Sequence, residues 1–237
     1  RPRVHWYSRL TGVGIPLLIS CALIVIIFFT TSNSEQQKTQ RIFHNNAQSL
    51  AERVFGIFDV QTNALISLKG LFVASDDVTS EEFRLFTSTM LAGQGSLSAL
   101  SWNEIIPAAG RESYIAGLRN QGYSNFHVWN YGLPYGSTLS EEDVVAVTYI
   151  EPHARFGRAH GLNILSEPIR ARAQNKSMVT GGVAMTEPLH LVQSGNDQLS
   201  YIIFLPVYKS LDTPKTESMR KELLRGFVVS LMTVGPQ

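Results

Sequence analysis

A chain of 237 residues with 44% apolar residues is long enough to bury a domain-sized core. Its 16% charged residues and net charge of +1 give no basic field, which excludes nucleic acid as a partner. The one cysteine, Cys21, excludes a disulfide framework.

Residues 10–29 form a run of twenty residues without a charge, about what a helix rising 1.5 Å per residue needs to cross a ~30 Å hydrocarbon layer. The alternative is a cleaved signal peptide, whose apolar region is about 7–15 residues and ends at small residues. This run is longer and leaves through Thr30-Thr31-Ser32-Asn33 with no Ala-x-Ala site. A transmembrane helix over 10–30 is therefore expected. Arg1, Arg3 and Arg9 flank its start, whereas its exit carries no Lys or Arg until Lys38. The positive-inside rule then makes 1–9 a cytoplasmic flank and puts everything beyond the span outside. An exported domain without disulfides fits a bacterial inner membrane better than an animal cell surface.

Residues 33–75 read as a stalk helix. No proline falls between 34 and 74, and Gly56 and Gly70 are the two glycines. Apolar residues at Phe43, Ala47, Leu50, Val54, Ile57, Ala64, Leu68 and Leu71 step by threes and fours, interrupted at Gln61. A second stripe, Phe58, Leu65 and Phe72, lies beside the first. Two readings stay open. The helix packs on its own domain, or it pairs with a second subunit in a parallel homodimer through Leu50, Val54, Ile57 and Leu68, with Gln61 fixing the register. Two stripes leave room for both.

The outer domain, 79–237, alternates strands and helices. Thr79-Ser80-Glu81-Glu82 is a capping box opening a short helix, with Phe83, Phe86 and Met90 on its buried side and Gly93 at its stop. Strands are expected over 97–106, 126–129, 144–150, 179–186, 199–208 and 226–234, and helices over 111–120 and 166–175. Such a pattern implies an α+β fold built on a mixed, mainly antiparallel sheet.

No catalytic signature is present: no GxxxxGK[ST], no GxSxG and no HExxH. His153 and His160 are seven apart, which is not zinc spacing, so no metal and no cofactor is expected. Glu104, Glu112 and Glu151 fit surface or capping roles. What stands out is apolar material beside glycine: Trp102, Trp129, Tyr149, Met178 and Met185 on expected strands, and Thr180-Gly181-Gly182 interrupting one of them. A strand glycine marks the close approach of a ligand or backbone, or a bulge.

A series of segments resembles the CHASE sensory domain. It comprises Ser101-Trp102-Asn103-Glu104, Arg111-Glu112-Ser113-Tyr114, Val147-Thr148-Tyr149-Ile150-Glu151-Pro152, Gly161-Leu162-Asn163, Arg170, Phe204-Leu205-Pro206-Val207-Tyr208-Lys209 and Leu224-Arg225-Gly226-Phe227-Val228. CHASE domains are extracytoplasmic input modules of cyclases, cyclic-di-GMP enzymes and histidine kinases, and the plant cytokinin receptors are similar. The resemblance implies a stalk helix carrying two PAS-like lobes, a dimer, and a small-molecule ligand in the lobe farther from the membrane. It implies a ligand site between the strands beginning at Val144 and Val179, walled by Trp102, Tyr149, Asn163, Val179 and Thr180. Glu104 stands where the family often has arginine, and Gly110 where it often has glutamate. Asn163 matches the aspartate that grips the ligand ring in the plant receptors. An amide both donates and accepts where a carboxylate accepts only, which counts against cytokinin itself. The function expected is ligand sensing on behalf of a cytoplasmic enzyme that makes or breaks cyclic-di-GMP, or of a histidine kinase. The alternative is a membrane-anchored binding or adhesion module without enzymatic output. The segment after Gln237 separates the two, since signalling requires a return helix and a catalytic domain there.

Overall fold

The computed structural model describes residues 6–93, 95–134, 136–139, 141–191, 199–210 and 212–234. Helix α1 (Trp6–Ala74) opens the chain, and the chain forms two compact units, Arg1–Gly56 and Ile57–Gln237. Within the first unit, the large apolar side chains described in the uncharged run (Leu17, Ile19, Leu23, Ile24, Val25, Ile27 and Phe28) are all exposed, at 51% to 68%. The charges of the flank 1–9 lie outside the described residues and side chains. Leu50 and Val54, 64% and 60% exposed, also belong to this unit.

The second unit is an eight-stranded sheet. Its strands are β1 (Ala99–Ile106), β2 (Trp129–Asn130), β3 (Val144–Glu151), β4 (Leu162–Asn163), β5 (Ala184–Met185), β6 (Leu189–His190), β7 (Leu199–Tyr208) and β8 (Leu224–Val234). They run in the order β2-β4-β3-β1-β8-β7-β5, with β6 also on β7. Every pairing is antiparallel except the short β2–β4 contact. The α+β class follows, and the sheet is continuous, so the two lobes implied by the resemblance do not stand out as separate units. The helices are α2 (Ser80–Ala92), α3 (Arg111–Asn120), α4 (His153–Phe156), α5 (Pro168–Thr180) and α6 (Glu217–Leu223).

The four long strands, β3, β1, β8 and β7, are buried on both sides, as their unbroken apolar runs require. Alternation along β1 sends Leu100, Trp102 and Ile106 to one face and Ala99 and Ile105 to the other. The first face packs Ala64, Leu65, Leu68 and Phe72 of α1 together with Phe83 of α2 and Ile115 and Leu118 of α3. The second packs Ala173 and Met178 of α5, Phe156 of α4, Leu162 and Ile164 against Val147, Phe204 and Val229. Gly226 lets β8 approach β1 closely: a Cβ there would lie 2.5 Å from the Asn103 carbonyl oxygen and 2.6 Å from the Trp102 ring.

Two features of the stalk differ from expectation. The stretch His44–Ala74 is long and apolar enough, at mean hydropathy 1.2, to cross a membrane by length and composition, but its C-terminal part is core. Leu68 is fully buried in its own domain, so it is not available to a second subunit. Gln61 is also buried, and its Nε2 donates to the Ser96 carbonyl at 2.7 Å, a contact within the chain rather than a register lock between subunits. Ile57 stays 38% exposed.

The end of α1 is tied to the sheet through Arg225. Its guanidinium donates to the carbonyls of Phe72 (2.6 Å), Ser75 (3.0 Å) and Asp76 (2.6 Å) and lies over the Phe72 ring. A cation is favoured at a helix C-terminus, where carbonyls lack helical partners.

The capping box opening α2 forms as expected: Glu82 N–H donates to Thr79 Oγ1 at 3.3 Å and Thr79 N–H to Glu82 Oε2 at 2.8 Å. The expected strand over 179–186 does not form. Helix α5 runs on to Thr180, because Glu167 caps its N-terminus by accepting from the Ile169 and Arg170 N–H groups and Pro168 fits its first turn. Gly181, at φ +75°, then stops it. Only Ala184–Met185 remains as strand.

Candidate functional site

Trp102 and Tyr149 lie opposite each other on β1 and β3, and both are core residues of the first face. Phe72 stacks on the indole with centroids 3.9 Å apart and planes 18° apart, while Phe83 lies 5.4 Å from the Tyr149 ring. The indole N–H donates to Glu104 Oε2 at 3.2 Å, and the Tyr114 hydroxyl donates to the same oxygen at 2.6 Å. Glu104 therefore anchors two core side chains instead of sitting on the surface. Burial, then the neighbouring Glu104 charge, holds the Tyr114 phenol protonated far above its ordinary range. Glu151 accepts from the His153 N–H at 2.9 Å, just before α4, and Glu112 is exposed in the first turn of α3. Trp102 and Tyr149 border a groove of about 530 Å³ beside the end of α1, with Asp76, Lys209 and Arg225 at its rim.

The other three residues of the expected wall lie elsewhere. Asn163 is buried where β4 meets β3. Its Oδ1 accepts from the N–H groups of Val145 (3.3 Å) and Leu165 (3.2 Å), and its Nδ2 donates to Asn130 Oδ1 at 2.9 Å. That amide is spent on local structure, as a cap of the turn Ile164–Ser166. Val179 packs against the second-face cluster from α5, and Thr180 is exposed, its hydroxyl donating to the Lys176 carbonyl at 2.8 Å. The five residues thus fall into two groups on either side of the sheet and one local cap.

The second face holds a small pocket-like cavity that sequence patterning did not single out. It has a volume of about 50 Å³ and lies between β3, β1, β8 and β7 on one side and the segment 156–170 on the other. Its walls are apolar, among them Ala99, Val147, Phe156, Leu162, Ile202 and Val229, and among the described residues its polar lining is Ser101, Asn103 and Arg170. Asn103 is 1% and Arg170 3% exposed. Ser101 Oγ donates to Asn103 Oδ1 at 3.1 Å, which leaves Asn103 Nδ2 without a hydrogen-bond partner among the described residues. Arg170 Nε and Nη1 also lack one. Among the described residues the nearest carboxylate, Glu167 Oε2, is 4.0 Å from Nε, and the Tyr131 ring lies 5.7 Å from the guanidinium carbon. Burial pulls the Arg170 pKa down, and Glu167 partly restores it. Buried donors set among apolar walls are the usual make-up of a small-molecule site.

A third cluster groups His153, His160, Tyr123 and Phe126. The two histidine rings lie 5.5 Å apart, and His160 Nε2 is 2.7 Å from the Thr148 carbonyl. Burial lowers the His160 pKa to about 4, against the opposing effect of that hydrogen bond. Among the described residues, no three His, Cys, Asp or Glu side chains are grouped to hold a metal ion.

Compared with known proteins, the chain matches the family model of the CHASE domain over residues 76–235. That stretch contains all of the sheet and the helices α2 to α6. No curated protein matches the chain.

Proposed function

The chain belongs to the CHASE domain family of extracellular sensory input domains, and we propose that it is the ligand-sensing part of a transmembrane signalling protein in a bacterial inner membrane. The match over 76–235 carries this reading. The uncharged run 10–29, with its exposed Leu23, Ile24 and Phe28, supports a membrane anchor. In this account the antiparallel sheet is PAS-like, the second-face cavity takes a small molecule, and the stalk pairs with its copy through Leu50, Val54 and Ile57. Ligand binding transmits a signal only through a difference in affinity between two arrangements of that stalk pair. Arg225 supports a route from sheet to stalk, since it joins β8 to the end of α1. The output is an enzyme of cyclic-di-GMP synthesis or hydrolysis, or a histidine kinase, and the choice rests on family analogy.

Two experiments test the reading. Expression of the complete gene, with cyclic-di-GMP and autophosphorylation measured side by side, identifies the output; neither activity in the complete protein would leave a binding module without enzymatic output. Single cysteines at Leu50 or Ile57, in a Cys21→Ser background, should crosslink between subunits more than one at Gln48. The reverse order would remove the dimeric stalk from the account.

A further inference from the structure

The cavity on the second face holds a mismatch that points to its ligand. Arg170 carries a full positive charge at 3% exposure, and its Nη1 meets no acceptor among the described residues. Asn103, 1% exposed, presents an unused Nδ2 donor to the same cavity. Leaving a buried charge and a buried amide donor unmatched is costly unless something else supplies the acceptor. Glu167 does not, because at 4.0 Å from Nε it lies beyond hydrogen-bond distance and its carboxylate already caps α5. The remaining walls are hydrocarbon: Ala99, Val147, Leu162, Ile202, Val229 and Leu231 among them.

We propose that this cavity binds a short-chain aliphatic carboxylate, its oxygens accepting from Arg170 and Asn103 and its alkyl tail lying against the apolar walls. The inference deepens the sensing reading and rests on it. Size and chemistry select this class. A cavity of about 50 Å³ has room for only a few non-hydrogen groups, since one enclosed water needs about 10–15 Å³ on the same measure. Acids of the size of acetate or propionate fit that limit. An inorganic oxyanion such as phosphate would satisfy the guanidinium but turn its other oxygens toward hydrocarbon. A free amino acid would bring an ammonium group to walls whose polar side chains are Ser101, Asn103 and Arg170, and two of those three already present donors. An alcohol would leave the charge unpaired.

The test uses the full chain in detergent, titrated calorimetrically with sodium acetate and sodium propionate at constant ionic strength. Nitrate and 1-propanol serve as controls that keep either the charge or the tail. Binding of both carboxylates should weaken about tenfold or more in Arg170→Met, the size of a lost charge-assisted hydrogen bond. Arg170→Lys keeps the charge without the planar fork and should weaken binding as well; should Arg170→Met not fold, Arg170→Lys decides by the same criterion. Equal binding by the folded variants and the wild-type chain, or control compounds that bind as well as propionate, would overturn the proposal. Ala159→Leu, which adds bulk at the cavity lining, separates this failure from that of the broader reading. If another class of small molecule binds and Ala159→Leu blocks it, the carboxylate assignment falls and sensing stands. If no compound binds and Ala159→Leu leaves the output of the complete protein unchanged, both fall.

Discussion

The two faces of the sheet are covered by helices of opposite character. On the first face, α1 presents Ala64, Leu65, Leu68 and Phe72, an apolar stripe that locks onto Trp102 and Leu100. On the second, α5 buries Arg170, Gln174 and Ser177 alongside Ala173 and Met178. The first contact is held by area removed from water, and its polar remainder is neutral: Gln61 Nε2 bonds to Ser96, while Gln61 Oε1 and Thr62 Oγ1 find no partner among the described residues. The second keeps donors and acceptors in the dark: Ser177 Oγ finds the carbonyls of Gly182 (2.7 Å) and Phe204 (3.1 Å), but Arg170 Nη1 and Gln174 Oε1 find none among the described residues. Proteins break the rules of local consistency mainly where function requires it. The contrast separates a face that holds the domain together and its tether from a face that gives up stability at a cavity.

The largest expected effect tests the first half of that contrast. Leu68→Ala should cost ~3–5 kcal/mol of unfolding free energy, because Leu68 is fully buried between α1 and the sheet. Leu50→Ala, at a 64% exposed position, should change it by less than about 0.5 kcal/mol in a monomer. Chemical denaturation of both variants measures the difference. Similar losses for the two would mean that the core does not depend on the α1 stripe.

The same contrast explains how far the sequence alone could be read. Short unbroken apolar runs bounded by turn residues read as buried strands, and a cap or a three-four spacing reads as a helix, so the long strands, α3 and the capping box of α2 are legible with nearly their observed bounds. The α1 stripe emerged too, but its sequence is equally compatible with a subunit interface and a domain core, and only packing assigns Leu68 to the core. Helix α5 is legible over 166–175, but its last turn is not, because its buried side is polar. Without an apolar stripe its last turn, with the β-branched Val179 and Thr180, resembled the start of a strand. Asn103 and Arg170 were visible as members of the family series, yet nothing in residue spacing indicates that an arginine will be 3% exposed with unused donors. Asn163, chosen by family correspondence, turned out to hold β4 and β3 in register.

A smaller effect comes from the edge of the first face, and it depends on pH. His160 has its pKa lowered to about 4 by burial, with His153 and His127 adding to the shift, against about 6.5 when unfolded. Between those two values the unfolded chain binds more protons, so stability rises with pH there. The contribution is complete above about pH 6.5 and is lost as pH falls toward 4. The loss is on the order of 2 kcal/mol for a shift of this size in a partly solvated ring. His160→Gln should flatten the difference in stability measured at pH 7 and pH 4.5. An unchanged difference would mean that His160 is charged in the folded chain. Asn163→Ala comes next, with ~1–2 kcal/mol lost through the cap and the bonds to Val145 and Leu165. A loss of ligand response without that loss of stability would return Asn163 to the binding wall.

The smallest expected effect has the opposite sign. Arg170→Met replaces a buried, incompletely paired guanidinium with an unbranched apolar chain that can fill the same space beside Val147 and Leu162. What is lost is an ion-pair contact of 4.0 Å to Glu167 and a ring contact of 5.7 Å to Tyr131. What is removed is the desolvation penalty of a charge with no close acceptor, and apolar replacements of buried ionic groups are often neutral or stabilising. The chain without ligand should therefore gain ~1 kcal/mol, read as a raised melting temperature, while most core substitutions lower it. A gain here beside the loss at Leu68 would show that one face was shaped for stability and the other for something it binds. A loss of several kcal/mol would mean that Arg170 is held by the protein itself, and the second face would then be as structural as the first.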